Sequence, residues 1–356
     1  MSNPSNGAAP THPLAPYDAL LLVSFGGPEG PDEVIDFLEI VTKGSGVPRE
    51  RLEHVGEHYF RFGGRSPIND QNRALIAALH SELADRGADM PIYWGNRNWH
   101  PFITQALEEI VTAGHHRVLM LTTSAYPSYS GCRSYREDVQ EALDELDAPL
   151  VIDRIGNYGL DDGFVTANAQ ALQAALGELP GAHVLFVTHS IPTAMDEASG
   201  PVGESGAYVR RHLDVAGRVA TVAGGASGHE LVFCSRSGRP ETPWLEPDVN
   251  DRLAELHEKG IDRVVIAPIG FVSDHMEVIY DLDTEARQTC DELGMTMVRA
   301  ATVGTMQPFV AALIDRAMSR ADQARVQPGC PLQTPEGCGG HGCCANSRAP
   351  LTPALD

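Results

Sequence analysis

The sequence predicts an α/β chain of two similar domains, each a four-stranded parallel sheet flanked by helices. At roughly 150 residues per domain, 356 residues allow about two domains, and 42% apolar residues suffice for a core in each. Short β-rich runs alternate with longer helical windows, the pattern of βαβ units. Runs such as 184–187 and 264–267 are continuously apolar, as strands covered on both faces must be.

Residues 1–16 are rich in Pro, Ala, Ser and Asn, lack a basic start and an apolar stretch, and read as a disordered leader rather than a signal peptide. Strands are expected at 19–25, 91–95, 117–123 and 150–155, with helices at 72–86, 101–113 and 135–146 between them. These form an N-terminal domain over 17–160. The same rhythm repeats over 161–306, with strands at 183–188, 230–235, 263–269 and 296–300 and helices at 163–179, 248–259 and 276–293. The seam falls near residues 158–163. A last helical pattern from Pro308 to Ala321, within a segment spanning 307–325, packs back on the body. Beyond it, 326–356 is a Gly-, Pro- and Cys-rich tail that a metal or cluster must order if it is ordered at all.

A formal charge of −22, from 26 Lys+Arg against 48 Asp+Glu, repels phosphate backbones and anionic membrane surfaces. No apolar run approaches the roughly 18 residues of a spanning helix. The expected location is the reducing cytoplasm, where disulfides are rare. Seven cysteines then need another account, since Cys330, Cys338, Cys343 and Cys344 crowd the last 27 residues.

Ligands of open parallel sheets bind outside the carboxyl ends of strands. That rule nominates the loops 25–30, 124–133, 188–192, 235–239 and 270–277. The first lacks the spacing of a dinucleotide loop and reads as a tight turn. His189 ends a buried strand, where an imidazole serves as a structural group, a metal ligand or a proton acceptor. Glu277, Asp281 and Glu285 follow at intervals of four, so three carboxylates share a helix face. Two accounts stand: a capping box of Asp274 with Glu277 on a solvated face, or a row of oxygen ligands passing a divalent cation inward. The segments 59–67 and 124–136 interleave aromatics with arginines, which suits a flat anionic ligand.

Ser66-Pro67, Tyr135, Thr188-His-Ser-Ile-Pro192 and Ser273-Asp-His-Met-Glu-Val-Ile-Tyr-Asp281 together resemble the ferrochelatases, most closely the bacterial coproporphyrin ferrochelatases with a C-terminal cysteine motif. The likeness runs from about Asp18 to about Ala321. It implies two Rossmann-like domains with a porphyrin cleft between them and insertion of Fe(II) into coproporphyrin III to form coproheme in haem biosynthesis. His189 and Glu277 match the catalytic, iron-binding pair, Asp281 and Glu285 the acidic relay, and Ser66 and Tyr135 the contacts to porphyrin propionates. Where several relatives carry an axial Tyr, this chain has Phe25. The resemblance also implies a [2Fe–2S] cofactor held by Cys132, Cys330, Cys338 and Cys343 or Cys344, with a Cys₄ zinc site as the alternative. Its implied partners are coproporphyrin III and Fe(II), with transient handover to the preceding and following haem-biosynthesis enzymes, and neither nucleic acid nor stable membrane insertion. Two rival functions stay open: insertion into protoporphyrin IX or another tetrapyrrole, and a non-catalytic haem-binding or iron–sulfur sensor protein. A tetra-anionic substrate in an acidic protein needs local cations at the rim, with Lys43, Arg61, Arg65, Arg133 and Arg136 as the expected set.

Overall fold

A computed structural model describes residues 12–44, 46–147, 149–238, 241–327, 332, 342–347 and 349–355. Eight strands form where the apolar runs stand: β1 (Ala19–Ser24), β2 (Ile92–Asn96), β3 (Arg117–Thr122), β4 (Val151–Arg154), β5 (His183–His189), β6 (Gly228–Cys234), β7 (Arg263–Ala267) and β8 (Thr296–Arg299). They pair, all in parallel, as two four-stranded sheets of orders β2-β1-β3-β4 and β6-β5-β7-β8. The two orders are the same topology repeated, as the rhythm of the sequence predicts.

The helices are α1 (Val34–Val41), α2 (Arg49–Phe60), α3 (Ile68–Asp85), α4 (Ile103–Thr112), α5 (Ser134–Leu146), α6 (Asp162–Glu178), α7 (Thr193–Glu197), α8 (Ala207–Ala223), α9 (Val249–Glu258), α10 (Arg287–Leu293) and α11 (Gln307–Val326). The helix expected over 276–293 is divided. Its first part, Val278–Ala286, is a π-helix and only its end is α10.

Side chains alternate along each strand, which sorts the cores. Leu20 and Leu22 of β1 join Val184 and Phe186 of β5 in one cluster that also takes in residues of α3, α6, α8 and α11. Leu21 and Val23 turn to the far side of the first sheet, and Leu185 and Val187 to the far side of the second. The two sheets thus share their inner core. Helix α11 closes it from outside, with Arg316 paired to Asp161 and Arg86 of α3 paired to Asp315.

The leader expectation fails over residues 12–16. Leu14 is fully buried in the shared core, and Arg325 of α11 donates to the Pro13 carbonyl at 3.1 Å. One apolar side chain in a polar stretch is enough to anchor it. Residues 1–11 lie outside the described set.

Candidate active site

The strand orders fix where a site can form. In each sheet the chain reverses its direction of travel between the first and third strands, and the crevice opens at their carboxyl ends. In the second sheet those are the ends of β5 and β7. His189 is the last residue of β5, and β7 runs through Pro268 and Gly270 into the π-helix. Two residues far apart in sequence therefore meet: His189 Nε2 lies 3.7 Å from Glu277 Oε2. His275 joins them, its Nδ1 3.8 Å from the same oxygen.

The His189 ring is oriented from behind, because its Nδ1 bonds the Ser190 carbonyl. A carbonyl only accepts, so Nδ1 carries the proton and Nε2 is the basic nitrogen facing Glu277. Ser190 is itself held by Cys234 O at 2.8 Å and by Leu245 O at 2.8 Å, so the turn after β5 is clamped. Burial disfavours a charged His189, but the Glu277 carboxylate outweighs it and raises the imidazole above its ordinary value. Burial likewise opposes ionisation of Glu277, and the two imidazoles overcome it, holding the carboxyl at about 2. The His275 imidazole is held below its ordinary value, chiefly by burial.

The π-helix follows directly on Glu277 and carries Asp281 and Glu285, and the three carboxyls are coupled through Asp281. Four residues overshoot an α-helical turn of 3.6, whereas wider i→i−5 turns keep positions four apart close to one line. The Thr284 hydroxyl bonds the Ile279 carbonyl, five residues back, in the same sense. Asp281, coupled to both Glu277 and Glu285, is pushed up to about 7, mainly by burial. It accepts from Ser235, a non-glycine residue at φ 60°. That strained backbone aims the hydroxyl at Asp281. The capping account fails, since the Asp274 amide donates to Gln71 Oε1 at 2.8 Å rather than to Glu277, and the Asp274 carboxylate is engaged by Arg299 at 3.1 Å. Glu285 is raised by burial and by Asp248, which extends the acidic row.

The first half of the chain covers this region with α2. His58 stacks on Tyr280 of the π-helix, ring centroids 3.7 Å apart and 7° from parallel, and Arg61 Nη1 reaches Tyr280 Oη at 3.5 Å. The Tyr59 phenol is raised by burial and by the Glu277 charge, so it faces the acidic end. Phe25 is partly exposed and continues through Phe37 to Tyr59 as an edge-on aromatic series. Tyr59, Ser235, Asp248 and His275 were not singled out by sequence. Of these Tyr59 opens the aromatic and arginine segment 59–67, Ser235 and His275 lie in nominated loops, and Asp248 carried no signal.

Ser66 is buried, its amide donating to the Pro28 carbonyl at 2.9 Å, so it packs under the loop after β1. Tyr135 is buried in the far core of the first sheet, with the Arg97 guanidinium 4.8 Å from its ring centroid.

Two expected rim cations are elsewhere. Arg133 and Arg136 are fully buried; Arg133 donates to the carbonyls of Cys343 and Thr352, and Arg136 to that of Leu355. They fasten the tail, since facing the core side of α5 leaves them no route to the rim. Arg65 is paired with Asp70 at 2.5 Å. Lys43 is exposed on the α1–α2 side, as is Arg51, a cation outside the expected set. Cys132, Cys343 and Cys344 are buried together, with Cys343 Sγ 3.7 Å from Cys344 Sγ and Cys132 a hydrogen-bond partner of Cys344. Cys330 and Cys338 lie outside the described residues. Among the described residues no set of three or more His, Cys, Asp or Glu has the geometry to hold a metal ion. Cys234 and Cys290 sit in the apolar cluster of the second sheet, as expected of buried thiols. No described helix is long and apolar enough to cross a membrane.

Known proteins align with this arrangement. The family described as Ferrochelatase matches residues 17–321. Coproporphyrin III ferrochelatase of Streptomyces coelicolor is 51% identical, covering 94% of this chain and 95% of its own. That of Streptomyces griseus subsp. griseus is 53% identical, covering 87% of each. The solved structure of SirB from Bacillus subtilis with Fe3+ superposes with a TM-score of 0.52 at 13% identity, covering 87% of this chain and 97% of its own, a likeness of fold. A match across nearly the whole body, with relatives at half identity over the same span, places the protein: the chain belongs to the ferrochelatase family.

Proposed function

We propose that the chain inserts Fe(II) into coproporphyrin III to form coproheme, between the ends of β5 and β7 and the covering helix α2. The observation that carries the reading is the His189–Glu277 pair at 3.7 Å, backed by relatives named coproporphyrin III ferrochelatase at 51% and 53% identity. Insertion exchanges two pyrrole N–H protons for one Fe(II), so the site needs a base and an anionic place for the cation. His189 is the base: Nε2 is unprotonated in its neutral form and its affinity for a proton is raised. Glu277 stays ionised and faces the metal, its side chain half-exposed. Asp281, near 7, exchanges protons with neutral solvent, and Glu285 continues the row outward. Ser66 and Tyr135 complete the propionate contacts in this reading. Exposed Lys43 and Arg51, with Arg61 beside Tyr280, supply positive charge for a substrate with four carboxylates. Handover of substrate and product to neighbouring enzymes of haem biosynthesis in the cytoplasm belongs to the same proposal.

We propose further that Cys132, Cys343 and Cys344, buried together, contribute to the ligand set of a [2Fe–2S] group. The Cys343 thiol is lowered, first by its hydrogen bond with Cys344 and then by Arg136 and Arg154, whereas Cys344 is raised by its hydrogen bonds to Cys132 and Cys343, so one thiolate of the pair is favoured. Cys132 with Cys343 or Cys344 would hold the cluster, with Cys330 and Cys338 completing the set. When bound, such a cluster supplies one-electron redox chemistry.

The test is anaerobic Fe(II) insertion, followed by absorbance, with coproporphyrin III and protoporphyrin IX side by side. Coproporphyrin III is expected to be the better substrate, and His189→Ala and Glu277→Ala to lose activity at least about a hundredfold. Retained activity in both variants overturns the assignment. Visible absorbance of the purified protein separates a coloured iron–sulfur cluster from colourless zinc.

A further inference from the structure

We infer that Tyr208 is a positioning residue for metal insertion, holding the backbone of His189 in place and tying it to the opposite half of the molecule. The inference rests on the role assigned to His189 above. Thr188 and His189 point to opposite faces of β5, so when the imidazole faces the site the Thr188 hydroxyl is driven into the core. There it meets two residues of α8 one turn apart. Tyr208 Oη is 2.7 Å from Thr188 Oγ1 and donates to the His189 carbonyl at 2.9 Å. His212 Nε2 is 3.0 Å from Thr188 Oγ1, and His212 Nδ1 is 2.7 Å from the Tyr208 carbonyl.

The protons in this group can be placed. His212 Nδ1 faces a carbonyl and must donate. His212 is wholly buried, which holds it neutral, so Nε2 accepts, and its donor is the Thr188 hydroxyl. The Tyr208 proton is then left between Thr188 Oγ1 and the His189 carbonyl. That one phenol is the side-chain donor to the His189 main chain, one bond away from the Cα that sets the direction of the ring.

The network does not end in its own half. His212 is stacked on Tyr126, centroids 3.6 Å apart, and Tyr126 lies in the loop after β3 of the first sheet. The Tyr126 hydroxyl donates to the Ile269 carbonyl at 3.1 Å, two residues past the end of β7. One aromatic from the first half therefore touches the supports of both strand ends that carry His189 and Glu277. Thr188 is further confined by Gly270, where an added Cβ would come within 2.1 Å of its Oγ1.

Tyr208→Phe removes the hydroxyl and little else. Counting sites by the quenching of bound coproporphyrin fluorescence, the variant is expected to keep porphyrin KM within about twofold while kcat per bound porphyrin falls about tenfold. Thr188→Val loosens the same phenol and is expected to lower kcat per bound porphyrin about threefold, again with KM unchanged. A wholly structural role would lower the number of binding sites and leave kcat per site intact. That outcome in both variants overturns the inference. His189→Ala is the control: if it stays active, the role of His189 itself fails, whereas an inactive His189→Ala beside a fully active Tyr208→Phe refutes only the positioning role.

Discussion

Burial lifts the Asp281 carboxyl to about 7, while Glu277, four residues earlier, is held at about 2 by its two imidazoles. Neighbours on one face thus occupy different protonation states at neutral pH, as groups with separate roles in cation and proton handling must. Below about pH 4 Asp281 is protonated in both folded and unfolded chains and costs nothing. Between about 4 and 7 the unfolded chain ionises first, so stability falls across that window and the loss is constant above it. The full gap from 3.8 to about 7 corresponds to about 4 kcal/mol, and water reaching this partly exposed group reduces it to about 1–2 kcal/mol. Asp281→Asn is therefore expected to melt higher than the wild type at pH 8 and at the same temperature at pH 4. An equal gain at both values would refute the assignment. Glu277 has the opposite sign: its depressed value contributes stability above about pH 4.5 that is lost as pH falls toward 2. His189, raised by Glu277, contributes stability below its ordinary value that is lost as pH rises through the raised one. His189, Glu277, Asp281 and Glu285 were visible in sequence as candidates because strand ends and four-residue spacing are local signals, while their shared role came from the family resemblance. Tyr208 was not visible, since a phenol 19 residues away leaves no periodic trace, and Ser235 was marked only as the start of a nominated loop.

The π-helix Val278–Ala286 and the turn before it show how elements shape the site. Three carboxylates spaced four residues apart suit an α- or a π-helix, so the sequence predicts an ordinary helix with even standing between relay and solvated face. In the structure the π-helix is pinned by Tyr280 against α2 and by Asp281 against Ser235, the residue after β6. Gly270 permits the approach. Its amide donates to the Val187 carbonyl at 3.1 Å, and an added Cβ would lie 2.7 Å from the Thr188 backbone. Gly270→Ala is expected to cost at least about 2 kcal/mol and to abolish insertion, because the strand end bearing His189 must yield. Urea unfolding alongside the insertion assay would check it; an unchanged midpoint would contradict the close packing. Helix α8 was missed altogether, since its buried Tyr208 and His212 interrupt the apolar pattern with polar atoms.

At the scale of the whole molecule, the two sheets repeat one topology yet do not keep separate interiors. Leu20 and Leu22 of one sheet and Val184 and Phe186 of the other belong to one cluster, closed by α11. Leu355, near the end of the chain, is buried in the far core of the first sheet, so the tail is fastened beyond its cysteines. Shared burial should make unfolding of the body a single cooperative event. Calorimetry and tryptophan fluorescence are expected to report coincident transitions; two separated transitions would mean that the halves fold independently. The acidic balance also takes a different shape in three dimensions. Arginines expected at the rim serve the tail instead, leaving Lys43, Arg51 and Arg61 on the side of α2.

The sequence alone determined the two parallel sheets and the loops at their carboxyl ends, and it offered His189 and the spaced carboxylates as candidates that only the family resemblance joined into one set. Each rests on a short-range pattern: apolar runs that demand two-sided cover, and residue spacings along one element. Tertiary structure decided which imidazole nitrogen faces Glu277, the π-winding that aligns the acidic row, the burial of Arg133 and Arg136 and the tie from Tyr126 through His212 to His189. These depend on which distant side chains exclude water from one another, and that is settled only when the two halves close on a common core.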